Sequence, residues 1–229
     1  MYKAEYFQSD HYQRHNQRRQ EHLATLGFAL EGKTVLEVGA GIGDHTSYFL
    51  DRKCRVTSTD GRSELVAIIK QRHQSVRAIQ WDIEETPPAQ IDPHQIVYCY
   101  GILYHVKNPD FVLSNLAALS SELLLLETCV SFGEDISVNL VNECPEDPTQ
   151  ALNGKGCRPT RPWIFSTLQT LFPYVYVSKT QPWHEEFPTD WSQQKNTDAA
   201  LSRCVFVASR QSLLLPSLSD QLLTIQTRC

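Results

Sequence analysis

From Thr34 to Glu127, apolar runs of strand length alternate with stretches whose apolar positions recur at helical spacing. Strands buried on both faces read as continuous apolar runs, so this pattern predicts strands at Thr34–Val38, Arg55–Thr59, Val76–Gln80, Gln95–Tyr100 and Leu123–Glu127. Helices fit between them at about Asp44–Arg52, Ser63–Arg72 and Pro109–Leu119. The alternation predicts an α/β fold built on a parallel sheet. Pro87, Pro88 and Pro93 break the segment Asp82–His94, which reads as a loop.

Past the fifth strand, Thr128–Pro159 has few apolar residues and several Gly, Pro and Asn, the composition of a long functional lid. Thr160 then caps a helix to about Phe172, followed by strands at Tyr174–Ser178 and Arg203–Ser209. The loop Gln181–Thr197 carries Trp183, His184, Glu185, Glu186 and Asp190. The tail Gln211–Cys229 holds two apolar patches, Leu213–Leu215 and Leu222–Ile225, which dock on a partner or on the domain itself. Near the N-terminus, stepping about 100° per residue from Tyr12 puts Asn16, Arg19, Leu23 and Leu26 on one helical face and turns Arg14 and Arg18 away. Arg19 is thereby drawn toward the core, where a guanidinium needs an anionic partner.

Length and composition narrow the picture. A chain of 229 residues suits one domain with lids rather than two full domains. The expected division is an N-terminal helical cap (1–30), a core (31–127), an acceptor-side lid with a late helix and strand (128–198), and a last strand and tail (199–229). With 21 Lys and Arg against 26 Asp and Glu, the net charge of −5 disfavours a general nucleic-acid surface. The seven cysteines include no Cys-x-x-Cys pair, residues 1–20 lack the apolar segment of a secretory signal, and no run approaches a membrane span. The expectation is a cytoplasmic protein without a membrane segment, its oligomeric state open.

The strongest chemical signal is Val35-Leu36-Glu37-Val38-Gly39-Ala40-Gly41-Ile42-Gly43-Asp44. A buried strand running into alternating glycines before a helix lets the backbone approach a ligand closely. A dinucleotide turn would place its third glycine where Asp44 stands. Glu37 before Gly39, Gly41 and Gly43 instead resembles motif I of the class I S-adenosylmethionine-dependent methyltransferases. Three further places agree in order and spacing. Asp60-Gly61 ends the second strand, where the resemblance implies a ribose-binding acid. Asp82-Ile83 follows the third, where it implies an adenine contact. The fourth strand and its exit, Ile96–His105 with Tyr100, resembles motif IV. The resemblance implies a Rossmann-like, doubly wound sheet of seven strands with the last antiparallel, and S-adenosyl-L-methionine as cofactor.

A sulfonium methyl group is already activated, so the protein has mainly to align donor and acceptor and exclude water. His105, just beyond the fourth strand, is the leading base candidate, with a packing histidine as the even alternative. Tyr104 lines the transfer face or anchors the next helix, and His184, Glu185 and Glu186 form a second pool of polar groups. Arg158, Trp163 and Trp183 are candidate acceptor contacts, although Trp163 also suits a core position after the Thr160 cap. Arg19 meets the cofactor carboxylate, a substrate acid, or a structural carboxylate such as Glu37. His11 and His15 have the i,i+4 spacing of two metal ligands, but the Glu of His-Glu-x-x-His and a supporting Cys/His cluster are missing, so no required metal is expected. The leading function is O- or N-methylation of a small molecule, in specialised metabolism. Gly101–His105 and Leu126–Thr128 also resemble tRNA wobble-uridine carboxymethyltransferases, which keeps RNA modification as an alternative. A non-catalytic S-adenosylmethionine-binding protein is the other.

Overall fold

Ser9 starts α1 (Asp10–Thr25) by accepting the main-chain N–H of Tyr12 on its side chain. There follow β1 (Thr34–Val38), α2 (Thr46–Leu50), β2 (Arg55–Asp60), α3 (Ser63–Arg72), β3 (Arg77–Gln80), β4 (His94–Tyr100), α4 (Pro109–Leu119) and β5 (Ser120–Cys129). The second half adds β6 (Val138–Asn142), β7 (Lys155–Pro159), α5 (Arg161–Leu171), β8 (Tyr174–Ser178), β9 (Thr180–Gln181), β10 (Arg203–Ser209), β11 (Leu218–Ser219) and β12 (Thr227–Arg228). The structure, a computed structural model, describes residues 4–192 and 201–229. The end of the expected loop Gln181–Thr197 and the expected 198/199 boundary lie outside the described residues. The cap read from sequence is in place, with Thr160 accepting from Trp163 N–H before α5; Asn108 accepts in the same way from Phe111 N–H before α4, and each is followed by proline in the first turn.

The main sheet runs β11-β8-β10-β5-β4-β1-β2-β3. From β3 to β5 the strands are parallel, and β10 enters antiparallel between β5 and β8. This is the Rossmann-like α/β architecture, with one correction. The sheet has eight strands rather than seven, because Leu218–Ser219 of the tail pairs with Val177 and Ser178 at the outer edge of β8. The tail therefore docks on its own chain. Thr128–Pro159 is not an unstructured lid either: β6 and β7 form an antiparallel hairpin in a sheet of their own. Helix α2 is shorter than expected, since residues 41–45 remain in the turn that follows the glycines.

Successive strand residues feed opposite faces of the sheet. Leu36, Val97, Leu124, Leu126 and Phe206 face one core with α4 and α5. Val35, Ile96, Leu125, Val205 and Val207 face the other, which α1 closes with Leu23 and Leu26. Phe206 lies on β10 between β5 and β8 and is fully buried. Phe206→Ala should cost about 3–5 kcal/mol in urea unfolding. A loss under about 1 kcal/mol would show that the core refills around β10.

Candidate cofactor and acceptor site

The glycine turn leaves β1 at the carboxyl edge of the sheet. Gly39 has φ +64°, and a Cβ there would come within 2.7 Å of Ile102, so the turn after β1 and the exit of β4 touch only because the side chain is absent. Gly41 N–H donates to Asp60 Oδ2 at 2.9 Å, and Arg62 N–H to Oδ1 at 2.9 Å. Burial raises the Asp60 carboxyl to about 6, with those two N–H donors pulling the other way. A cavity of about 540 Å³ opens along this edge. Gly39, Gly41, Asp60, Gly61, Asp82 and Ile83 line one side of it, and Tyr104, His105, Arg158, Glu186 and Arg203 the other. Its volume is in the range of small-molecule sites, roughly 300–1,000 Å³.

Other residues expected at the cofactor sit behind that wall. Glu37 accepts from Thr46 Oγ1 at 2.5 Å and Ser58 Oγ at 2.7 Å, and burial raises it to about 7. Gly43 packs against the His73 ring, whose Nε2 lies 2.9 Å from the Gly43 carbonyl oxygen. Glu37, Arg19 and Tyr100 border a narrow recess that shares Gly39 with the main cavity, and the buried Tyr100 hydroxyl finds no hydrogen-bond partner among the described residues.

Arg19 does face the core, and its anion is Glu127. Arg19 Nη1 donates to Glu127 Oε2 at 2.9 Å and Nη2 to Asn16 Oδ1 at 2.6 Å. Gly101, at φ +77°, makes the approach possible, since a Cβ there would stand 2.8 Å from Nη1. The other oxygen of Glu127 accepts from Arg203 Nη1 at 3.1 Å. Arg203 also donates to the Tyr104 hydroxyl at 3.0 Å and, through Nε, to Glu186 Oε2 at 2.6 Å. Sequence reading missed Arg203; its one signal was a charge opening the otherwise apolar strand β10.

On the acceptor side His105 borders the cavity and its Nδ1 bonds Glu143 Oε2. Burial lowers the imidazole pKa, partly offset by that carboxylate. Glu143, just after β6, also accepts from Ala151 N–H at 2.8 Å and from Arg158 at 3.3 Å. Nothing in the sequence singled it out. Four expected residues lie elsewhere. Trp163 packs in the core beneath α5, as its place after the Thr160 cap allows. Trp183 is 61% exposed and outside the cavity lining. Glu185 pairs with Arg14 at the surface, and His184 is buried against His15 and Phe187 rather than on the cavity wall. The lid is held over the cofactor side by Arg62 Nη2, which donates to the carbonyls of Pro145, Asp147 and Gln150 at 3.0, 3.1 and 3.2 Å. Asn153 adds a bond to Asp82 at 3.2 Å.

A strand-end carboxylate, a glycine turn against it and a second wall of polar groups fit a nucleoside donor beside an acceptor. Residues 35–121 match the family described as Methyltransferase domain. The N-terminal domain of EvdMO1, solved in the presence of SAH and D-fucose, superposes with TM-score 0.64 at 23% identity, over 89% of this chain and 85% of that one. The full EvdMO1 structure matches over 41% of its own length, with TM-score 0.54. Magnesium protoporphyrin IX methyltransferase from Synechocystis, with bound SAH, gives 0.60 at 15% identity, covering 88% and 86%. Burkholderia thailandensis 1,6-didemethyltoxoflavin-N1-methyltransferase gives 0.56 at 20%, covering 85% and 79%. A search of curated protein sequences finds no match. Over residues 35–121 the chain is thus similar to methyltransferase domains, and its Rossmann-like fold is the one these methyltransferase structures share.

Glu127 is fully buried and shared by two guanidiniums. Glu127→Gln keeps the shape but leaves both cations without their common charge, and should cost about 3–5 kcal/mol in urea unfolding. A loss under about 1 kcal/mol would mean that Asn16, Tyr104 and Glu186 suffice to hold them.

Proposed function

We propose that the chain transfers the methyl group to a hydroxyl of a small molecule, with His105 as the base. The observation that carries this reading is the His105–Glu143 contact at the cavity wall: Glu143 fixes Nδ1 and leaves Nε2 as the proton-accepting atom. S-adenosylmethionine supplies a methyl group already activated by its sulfonium. Asp60 accepts hydrogen bonds from the ribose hydroxyls, with Gly39, Gly41 and Gly61 beside it and Asp82 and Ile83 toward the base. His105 Nε2 takes the acceptor proton, and Glu143 steadies the imidazolium that results. Arg158, anchored to Glu143 and to the Tyr104 carbonyl, forms part of the acceptor wall.

The small-molecule acceptors named for the toxoflavin and protoporphyrin enzymes support this substrate class, as does the net charge of −5 over a nucleic-acid partner. One methyltransferase unit over the whole chain agrees with α1 and the tail both packing on the main sheet. A cytoplasmic setting belongs to the same proposal, supported by seven unpaired cysteines. Among the described residues no helix is long and apolar enough to cross a membrane.

Two experiments test these roles. Burial raises Asp60 to about 6, so the ribose must compete with a proton below that pH. Calorimetric affinity for S-adenosylhomocysteine should therefore fall as pH drops through 6, by about tenfold per unit, and hold steady above it. Asp60→Asn should bind weakly with no such limb; a folded variant with unchanged affinity removes Asp60 from the site.

For the base, turnover should rise with pH through an imidazole pKa below the ordinary value. His105→Gln should keep S-adenosylhomocysteine binding while losing roughly two to four orders of magnitude in kcat. In Glu143→Gln the limb should move to still lower pH, because the carboxylate that favours imidazolium is gone. An unchanged kcat in His105→Gln assigns the proton to another group.

A further inference from the structure

The fold joins two segments that the methyl-transfer chemistry above leaves unused. His11 and His15 stand one turn apart on α1, and the loop after β9 brings His184, Glu185 and Glu186 against them. His15 and His184 are 4% and 3% exposed, and their rings lie 4.7 Å apart, centre to centre. Neither Nε2 atom has a hydrogen-bond partner among the described residues. Leaving buried polar nitrogens without partners is costly, and two of them meeting at one spot call for a ligand. Carboxylate oxygens stand beside both: Glu186 Oε2 is 3.8 Å from His15 Nε2, and Glu185 Oε2 is 3.7 Å from His184 Nε2.

We propose that His15, His184 and Glu186 bind one divalent first-row transition-metal ion, of which zinc suits the donors best. One ligand atom from each of the three lies within 4.8 Å of the others. Ligands at roughly 2.0–2.2 Å in a tetrahedron around zinc stand about 3.3–3.6 Å apart, so modest side-chain rotation closes the set. Two imidazoles and one carboxylate are a recurrent donor set for such ions. Burial keeps both imidazoles neutral, with lone pairs free for a cation. His184 Nδ1 accepts the Glu186 N–H at 3.3 Å; binding through Nε2 moves the ring proton to Nδ1 and gives up that long contact.

Charge shows which way the site opens. Arg203 holds Glu186 and Arg14 holds Glu185, so a dication at the triad needs further negative charge. His15 and Glu186 both line the main cavity, which puts the fourth coordination position toward it. An acceptor that brings an anionic oxygen, a carboxylate or an ionised hydroxyl, completes both the geometry and the charge. This choice of acceptor rests on the methyl-transfer reading; the metal site does not.

The test uses untagged protein carrying Cys144→Ser and Cys229→Ser, which removes the two exposed thiols as rival ligands, after stripping with a chelator. Cobalt(II) should bind one per chain with the visible absorption of a four- or five-coordinate site, and zinc should displace it. Loss of an outer partner of a metal ligand already weakens binding roughly 10–100-fold, so His15→Gln and His184→Gln should each weaken it by more than that. Zinc should also raise the Tm of the parent protein and leave that of Glu186→Gln unchanged, a readout that survives if a histidine variant fails to fold. Absence of saturable binding in the parent, or equal affinity in the folded variants, overturns the site. Calorimetry with S-adenosylhomocysteine on the stripped protein separates the two ideas: a protein that binds the nucleoside and no metal loses only the metal site, and one that binds metal and no nucleoside loses the methyl-transfer reading.

Discussion

A carboxylate buried on the helix-covered face of the sheet, Glu127, sets the conditions for much of the structure. A buried carboxylate calls for cationic partners, and the fold supplies two from opposite ends of the chain, Arg19 of α1 and Arg203 of β10. Glu127 on β5 lies in register with Val205, two residues along from Arg203. Pairing β10 against β5 and satisfying Glu127 are thus one event. Glu186 balances the second guanidinium, so the cluster of two acids and two arginines is neutral while almost fully dry. The same arginine touches the Tyr104 hydroxyl, which ties the geometry of the acceptor wall to the closure of the sheet.

Burial also tunes the cavity itself. Asp60 is raised and His105 lowered, each toward its neutral form, because both sit where water is scarce. The neighbours then act in the opposite sense: two main-chain N–H groups favour the Asp60 carboxylate, and Glu143 favours protonation of His105. At each group, burial and the polar neighbours thus pull in opposite directions.

How much was legible in the sequence follows from the range of the interactions. Strand β1, helices α3 and α4 and strands β8 and β10 have the bounds read from the pattern, because continuous apolar runs and local caps specify them. The cavity edge was legible for the same reason, since Gly39 and Gly41 follow the end of β1, Asp60 ends β2 and Asp82 follows β3. The hairpin β6–β7 was not: Asn139, Asn142, Lys155 and Arg158 interrupt its few apolar residues, and its pairing spans a long loop. Arg203, Glu143 and the meeting of His15 with His184 depend on contacts between distant segments, which no local period encodes. Trp163 and Trp183 were drawn into the acceptor wall by residue type alone; one has a core to fill, the other stays at the surface.

The hairpin has one more consequence. Its ladder closes on itself, with β6 paired to β7 and neither to the main sheet, while its contacts with the donor side run through Arg62 and Asn153. Backbone hydrogen bonding in the large sheet is therefore indifferent to which side chains the hairpin presents. The two ladders are thus independent of one another, although Cys157 of β7 still fills part of the main core. Substitution at its exposed positions, Asn139 and Leu140 among them, can therefore alter the face this small ribbon presents without breaking a main-chain bond of the large sheet.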